Sequence, residues 1–229
     1  MQPAFFVQRT KVATGVYSFT FQPKGSLRYV AGQFVQLQLP HTPTDERGEQ
    51  RWFSLSSTPS EARITFTAKV QAAGGSSFKK ALMALKPNQA IYISEPMGDF
   101  VLPKKVRQPI IFLVAGTGIA PVRSLILDQV SQAQHTEMYL FASEKQQQAI
   151  PFLSELKPHC QLTHITQTAS GDRLDWSGLC QAVPGNVRDA ALFFAAGPEQ
   201  FCEAWLDILT SNGIRPSRIR ADFFHGYDL

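Results

Sequence analysis

The feature that most constrains this fold is a change of hydrophobic period near the middle of the chain. In residues 1–103, short runs rich in β-branched and aromatic residues alternate with turns, at 5–12, 15–22, 33–40, 51–57, 63–70 and 90–96. The breaks fall at Pro23–Gly25, at Ala31–Gly32 and in the polar loop His41–Glu49. Strands of this length and spacing predict an antiparallel barrel or sandwich. One helix interrupts them, Ser77–Leu85, closed by Pro87. From Ile110 the pattern changes. Ile110–Ala115 is continuously apolar and leads through a glycine turn into helical spacing over 122–133. Runs at 137–143, 161–168 and 190–197 repeat the strand theme, with helices at 151–157 and 199–213. A strand apolar on both faces needs cover on both, so this alternation predicts a parallel sheet between helical layers. The expected fold is two-domain, β then α/β. A six-stranded antiparallel β-barrel occupies 1–103 and a five-stranded parallel α/β domain 104–229, joined in the Lys/Arg/Pro-rich stretch Pro103–Pro109.

A chain of 229 residues suits two modest domains. No apolar run approaches the length of a membrane span, and Met1–Gly15 lacks an apolar segment followed by a small-residue cleavage site. Cys160, Cys180 and Cys202 are isolated and without CxxC spacing, which suits reduced thiols and is too few for a four-cysteine iron–sulfur cluster. His159, His164 and Cys160 have no ligand spacing, so no metal is expected. These observations predict a soluble, cytoplasmic monomer. The net charge of +4 is too mild to suggest nucleic acid, but its placement is uneven. Residues 1–103 hold eleven Lys or Arg against six Asp or Glu, and residues 104–229 hold eleven against twelve. The basic half is either an ordinary solvated surface or an attraction for an acidic partner.

Three segments carry the chemistry. Val114-Ala115-Gly116-Thr117-Gly118-Ile119-Ala120-Pro121 is an apolar strand, a GxG turn and a helix start. Glycines allow close approach of a pyrophosphate, and the helix N-terminus offers unpaired N–H donors. It lacks the third glycine of the Rossmann fingerprint, so a tight turn needed only for packing is the competing reading. Arg51-Trp52-Phe53-Ser54-Leu55-Ser56-Ser57 places Arg51 and Phe53 on one strand face, where a guanidinium could pair a phosphate and a phenyl ring could meet a flat ligand. A half-buried strand is the alternative. Gly74-Gly75-Ser76-Ser77, directly before the short helix, is a second turn able to cradle phosphate.

Taken in order, Ala31-Gly32-Gln33-Phe34, Arg51-x-Phe53-Ser54-x-x-Ser57, Gly74–Ser77, Glu95-Pro96-Met97-Gly98-Asp99-Phe100, Gly116–Pro121 and Ala196-Gly197-Pro198 resemble the motifs of the ferredoxin–NADP⁺ reductase superfamily. The resemblance covers nearly the whole chain. It implies that Arg51 binds the FAD pyrophosphate, that Phe53 stacks on the isoalloxazine and that Ser54 lies near flavin N5, with Leu55 and Ser57 in the same segment. Val70 and Gly74, Gly75, Ser76 and Ser77 would hold the ribityl and pyrophosphate. Gly116, Thr117, Gly118, Ala120 and Pro121 would hold the NAD(P) pyrophosphate and ribose, and Ala196, Gly197 and Pro198 would lie beside the nicotinamide. Two departures stand out: Phe53 replaces the usual Tyr, and Ala196 the usual Cys. Asp222-Phe223-Phe224 resembles an acid-x-aromatic ending, so Phe224, or Tyr227, would cap the flavin and Asp222 could support proton exchange. An apolar tail packed on the barrel is the plain reading of the same segment.

The resemblance implies an FAD-dependent NAD(P)H oxidoreductase that passes electrons to a soluble carrier such as ferredoxin or flavodoxin. Alternatives are the reductase component of an oxygenase, a free flavin or ferric reductase, and a dinucleotide-binding regulatory subunit without turnover. For the nucleotide, NADP-specific relatives place Ser-Arg where this chain has Thr166-Gln167. Glu144, after Ser143 at the strand end, would repel a 2′-phosphate, with Lys145 and Arg173 as nearby cations. NADH is favoured over NADPH.

Overall fold

The computed structural model describes residues 1–70, 75–134, 136–145, 150–167 and 175–223. The first half forms six strands: β1 (Gln2–Ala13), β2 (Val16–Pro23), β3 (Phe34–Gln38), β4 (Gln50–Ser54), β5 (Ile64–Lys69) and β6 (Ala90–Ile93), with helix α1 (Ser77–Ala84) between the last two. All pair antiparallel, in the order β4-β3-β6-β1-β2-β5. The edge strands also meet. β4 runs on to Leu55, which bridges Phe66 on β5, and the Ser56 N–H donates to the Thr65 carbonyl at 2.8 Å. Alternation explains the interior: Phe19, Phe21, Leu37, Phe66 and Ile93 face inward with Phe78 and Leu82 of α1, and all are fully buried.

The second half is a parallel sheet with strands β7 (Ile110–Ala115), β8 (Met138–Lys145), β9 (Gln161–Gln167), β10 (Leu192–Ala196) and β11 (Ile219–Asp222). Their order is β11-β10-β7-β8-β9. Helices α2 (Ile119–Ser131), α3 (Leu153–Leu156), α4 (Trp176–Ala182), α5 (Gly185–Ala190) and α6 (Glu199–Ser211) connect them. Every residue of β7 from Ile110 to Val114 is fully buried, as a central strand covered on both faces must be. The two faces feed separate cores, one including Phe112, Val122 and Leu140, the other Leu113, Phe193 and Trp205. The sequence pattern had named four of these strands. The fifth is β11, four residues long with polar residues at alternate places.

The two sheets are in close contact. Phe100 and Ala31, from the first half of the chain, are buried in the core of the parallel sheet, where Phe100 packs edge-on to Phe194 at 5.1 Å. Gly32, at φ +92°, lies against the Phe100 carbonyl so closely that a Cβ would stand 1.9 Å from that oxygen. Among the described residues, no helix is long and apolar enough to cross a membrane.

Candidate functional site

The carboxyl end of β10 and β11 meets the end of β4, and the site is built there. Ser54 Oγ donates to Asp222 Oδ2 at 2.7 Å, a bond between residues 168 apart in the chain. Both residues are buried, at 8% and 9% exposure. Burial pushes the Asp222 carboxyl up to about 6; the Ser54 hydroxyl opposes this and the charge of Asp99 adds to it. This group therefore changes protonation near neutral pH beside a serine hydroxyl.

The GTG turn lies against the same place. Gly116 adopts φ +55° with open space where a Cβ would project, so glycine serves the backbone conformation alone there. Gly118, which precedes α2, has a steric role: a Cβ would sit 2.1 Å from the Ala196 carbonyl oxygen. The turn after β7 is thus pressed onto the turn Ala196-Gly197-Pro198 after β10, and Pro198 precedes the first turn of α6. Ala120 and Pro121 are buried in the first turn of α2. Cys202 on α6 lies beneath, its Sγ 3.8 Å from the Gly197 carbonyl oxygen and 3.7 Å from that of Asp222. Burial pushes its thiol up to about 12. Ser143 and Glu144, at the end of the neighbouring β8, are buried.

A second cluster surrounds the start of α1. Arg51 is 7% exposed, and its Nη1 donates to the carbonyls of Arg47, Gly48 and Gln50 at 2.6, 3.1 and 2.6 Å. Its Nη2 is buried without a hydrogen-bond acceptor, and the guanidinium lies over the Phe78 ring at 5.2 Å. Leaving such a donor unpaired costs about 1–3 kcal/mol, so the position asks for an anion. The nearest is the carboxylate of Asp45. It stands 3.6 Å from Nη2 and accepts from the backbone N–H of Ser77 at 2.7 Å and of Arg47 at 3.1 Å. Those bonds, the Ser77 bond foremost, hold the Asp45 carboxyl below its ordinary range. Lys79 sits nearby, its ammonium pulled down by burial and by Arg47, Arg51 and Lys69. Ser76 caps the helix, accepting from Lys79 N–H at 3.3 Å.

Ser77 Oγ accepts from the Asp45 N–H at 2.9 Å and lies 2.8 Å from His41 Nε2. His41 Nδ1 is 2.7 Å from the Leu39 carbonyl, which can only accept. In the neutral ring the proton is therefore on Nδ1, and the Ser77 hydroxyl donates to Nε2. The loop from His41 to Glu49, read from sequence only as a polar connector, so supplies this cluster with a histidine, an aspartate and an arginine.

Several expected residues have other surroundings. Arg51 and Phe53 do share a strand face, but that face looks into the barrel. Phe53 is 9% exposed and stacks on Phe66 at 4.5 Å, with Phe78 at 6.1 Å. A phenyl ring has no hydroxyl to keep near water, so the replacement of Tyr by Phe suits this inward position. Leu55 is fully buried as the bridge partner of Phe66. Ser57 is tied up in the junction, its Oγ 2.9 Å from Tyr29 Oη and accepting from Thr65 N–H at 2.9 Å. Val70 donates its N–H to the Gly15 carbonyl at 2.8 Å. Gly75 precedes the helix cap, whereas Gly74, Arg173, Phe224 and Tyr227 lie outside the described residues. Among the described residues, no group of three or more His, Cys, Asp or Glu comes together as a metal site.

Comparison with known proteins covers both halves. Residues 5–102 match the family model described as an oxidoreductase FAD-binding domain, and residues 112–204 match that of an oxidoreductase NAD-binding domain. Flavohemoprotein A of Dictyostelium discoideum is 30% identical over 96% of this chain and 59% of its own. An NADPH oxidoreductase of Mycobacterium tuberculosis is 31% identical over 80% of this chain and 47% of its own. The chain thus spans about half the length of these curated relatives. In fold it is similar to the flavohem-like FAD/NAD-binding domain of nitric oxide dioxygenase from Vibrio cholerae, with a TM-score of 0.81 at 18% identity over 97% of this chain and 98% of that one.

Proposed function

The chain belongs to the ferredoxin–NADP⁺ reductase superfamily, with an FAD-binding and an NAD-binding domain, and from that premise we propose that it oxidises NAD(P)H and passes the electrons through FAD to an external carrier. The observation that carries this reading is the Ser54–Asp222 bond, which brings the strand of the FAD-binding half to the turns of the nucleotide-binding half. The division of labour falls at residues 1–103 and 104–229.

Arg51, Ser76 and Ser77 would hold the diphosphate of FAD. The Nη2 of Arg51, buried without a hydrogen-bond acceptor and with the Asp45 carboxylate 3.6 Å away, is a donor that such a group would use. Bound there, FAD supplies the redox chemistry, acceptance of a two-electron hydride and release of single electrons. Gly116–Pro121 would hold the nucleotide diphosphate at the N-terminus of α2, and Gly197 and Pro198 would border the nicotinamide. Ser54 holds its hydroxyl hydrogen on Asp222, and Asp222 can take or return a proton near pH 6. The tight seat of Gly118 on Ala196 keeps the two turns at a fixed separation. Ala196 stands where cysteine is usual, so this position itself contributes no thiol.

The acceptor is read from charge. The basic excess of residues 1–103 favours an acidic one-electron carrier such as ferredoxin, flavodoxin or an oxygenase component. The buried Glu144 at the end of β8 favours NADH. Anaerobic addition of NADH and NADPH to the yellow protein tests both points. Bleaching of the flavin, followed by transfer to a dye and then to purified acidic carriers, is expected, with kcat/KM higher for NADH. A chromatographically identified FMN, no bleaching, or a tenfold preference for NADPH would each count against the corresponding part.

A further inference from the structure

Helix α2 does more than start at the GTG turn. One turn further on, two consecutive side chains reach across to two consecutive carbonyls of the barrel. Arg123 Nη1 donates to the Ser56 carbonyl at 2.6 Å, and Ser124 Oγ to the Ser57 carbonyl at 2.6 Å, the latter fully buried. These carbonyls lie two and three residues beyond Ser54. The rest of the guanidinium is held from both sides. Nε and Nη2 donate to Glu155 at 2.8 and 2.7 Å, Nη1 lies 3.3 Å from Glu61 of the barrel half, and the plane sits over Phe152 at 5.2 Å. At the start of the same helix, Gly118 abuts Ala196. The segment Gly118–Ser124 is therefore a strut, with one end on the nucleotide turns and the other on the continuation of β4.

We propose that Arg123 is a positioning residue for hydride transfer: by holding the Ser56 carbonyl it fixes the separation between Ser54 and the Gly116–Gly118 turn, and hence the approach of nicotinamide to flavin. This rests on the reading above, with the flavin at Ser54 and the nucleotide at the GTG turn. The job needs arginine. Its planar fork satisfies a carbonyl and two carboxylates in fixed directions, whereas the point charge of lysine cannot hold all three. Hydride transfer is sensitive to such placement, since an error of about 1 Å can cost about 100-fold. Ser124 supplies the second tie and keeps α2 docked when the first is weakened.

The test uses the FAD-loaded protein with Arg123→Lys, and Glu155→Gln as a milder variant that keeps the arginine. Flavin reduction by saturating nucleotide is followed by anaerobic stopped flow, with FAD content and the Kd of oxidised nucleotide measured in parallel. For Arg123→Lys the saturating rate constant is expected to fall about 10- to 100-fold. FAD content and Kd should change less than about twofold, and the long-wavelength charge-transfer absorbance between nucleotide and flavin should weaken. Glu155→Gln should fall between this variant and wild type. A normal wild type beside an equally fast Arg123→Lys overturns the role of Arg123 alone, and so does a loss of rate matched by loss of FAD. A wild type reduced by neither nucleotide overturns the reductase reading, and this assignment with it.

Discussion

At the scale of single residues, charge and burial make two positions decisive. Arg51 presents a buried donor with no acceptor. Arg51→Ala should weaken FAD by about 2–4 kcal/mol, the loss expected of a charged hydrogen-bonded pair; flavin retained after dialysis reads this directly, and unchanged occupancy would refute it. Asp222 sets a pH dependence. Its carboxyl lies at about 6 in the folded protein, above the 3.8 of an exposed aspartate. The folded state therefore binds the proton more tightly than the unfolded one. The stability this contributes is complete below about pH 4 and is lost as pH rises through 6, a difference of about 3 kcal/mol. Asp222→Asn keeps an acceptor for Ser54 and carries no charge. It should be more stable than wild type at pH 8, by up to that amount, and lose the advantage at pH 4; urea unfolding across this range measures it. Asp222 was reached through family resemblance alone, because no local pattern marks an acid whose partner is 168 residues away.

At the scale of elements, the two glycines of the GTG turn make separable contributions. Gly116→Ala should cost about 1–2 kcal/mol, for a left-handed conformation with open space beyond it. Gly118→Ala must push α2 off the Ala196 carbonyl, so its loss of Tm should be the larger, with weaker nucleotide binding as well. Gly118 has an ordinary right-handed backbone at φ −59°, so a loss no larger than that of Gly116→Ala would mean that its contact with Ala196 is readily relieved. The long elements were legible because each repeats its period several times: alternation along β1 to β5, and an unbroken apolar run in β7. Strand β11 was not, since two of its four residues, Arg220 and Asp222, are charged, whereas the equally short β6 reads Ala-Ile-Tyr-Ile. Nor were α4 and α5, whose seven and six residues complete barely two turns. Within the site, the glycines and Arg51 could be read from what their chemistry demands. Asp45 and Arg123 could not, because their partners Ser77, Ser56 and Glu155 are brought to them only by tertiary packing.

At the scale of the whole molecule, the halves share more than a linker. Phe100 lends its ring to the core of the parallel sheet, α2 grips the barrel through Arg123 and Ser124, and Asp222 closes on Ser54. A barrel hairpin such as β1–β2 pairs residues close in sequence and can form early, whereas Ser54 must wait for a partner 168 residues further along. That imposes an order in time. Ser54→Ala, which leaves the buried Asp222 carboxylate without its donor, should accelerate unfolding while leaving the folding rate nearly unchanged. A slower folding limb in the chevron would instead put this junction in the nucleus. Each sheet could then be native-like while the seam between them still gapes, so during refolding recovery of secondary structure would run ahead of the capacity to bind dinucleotide.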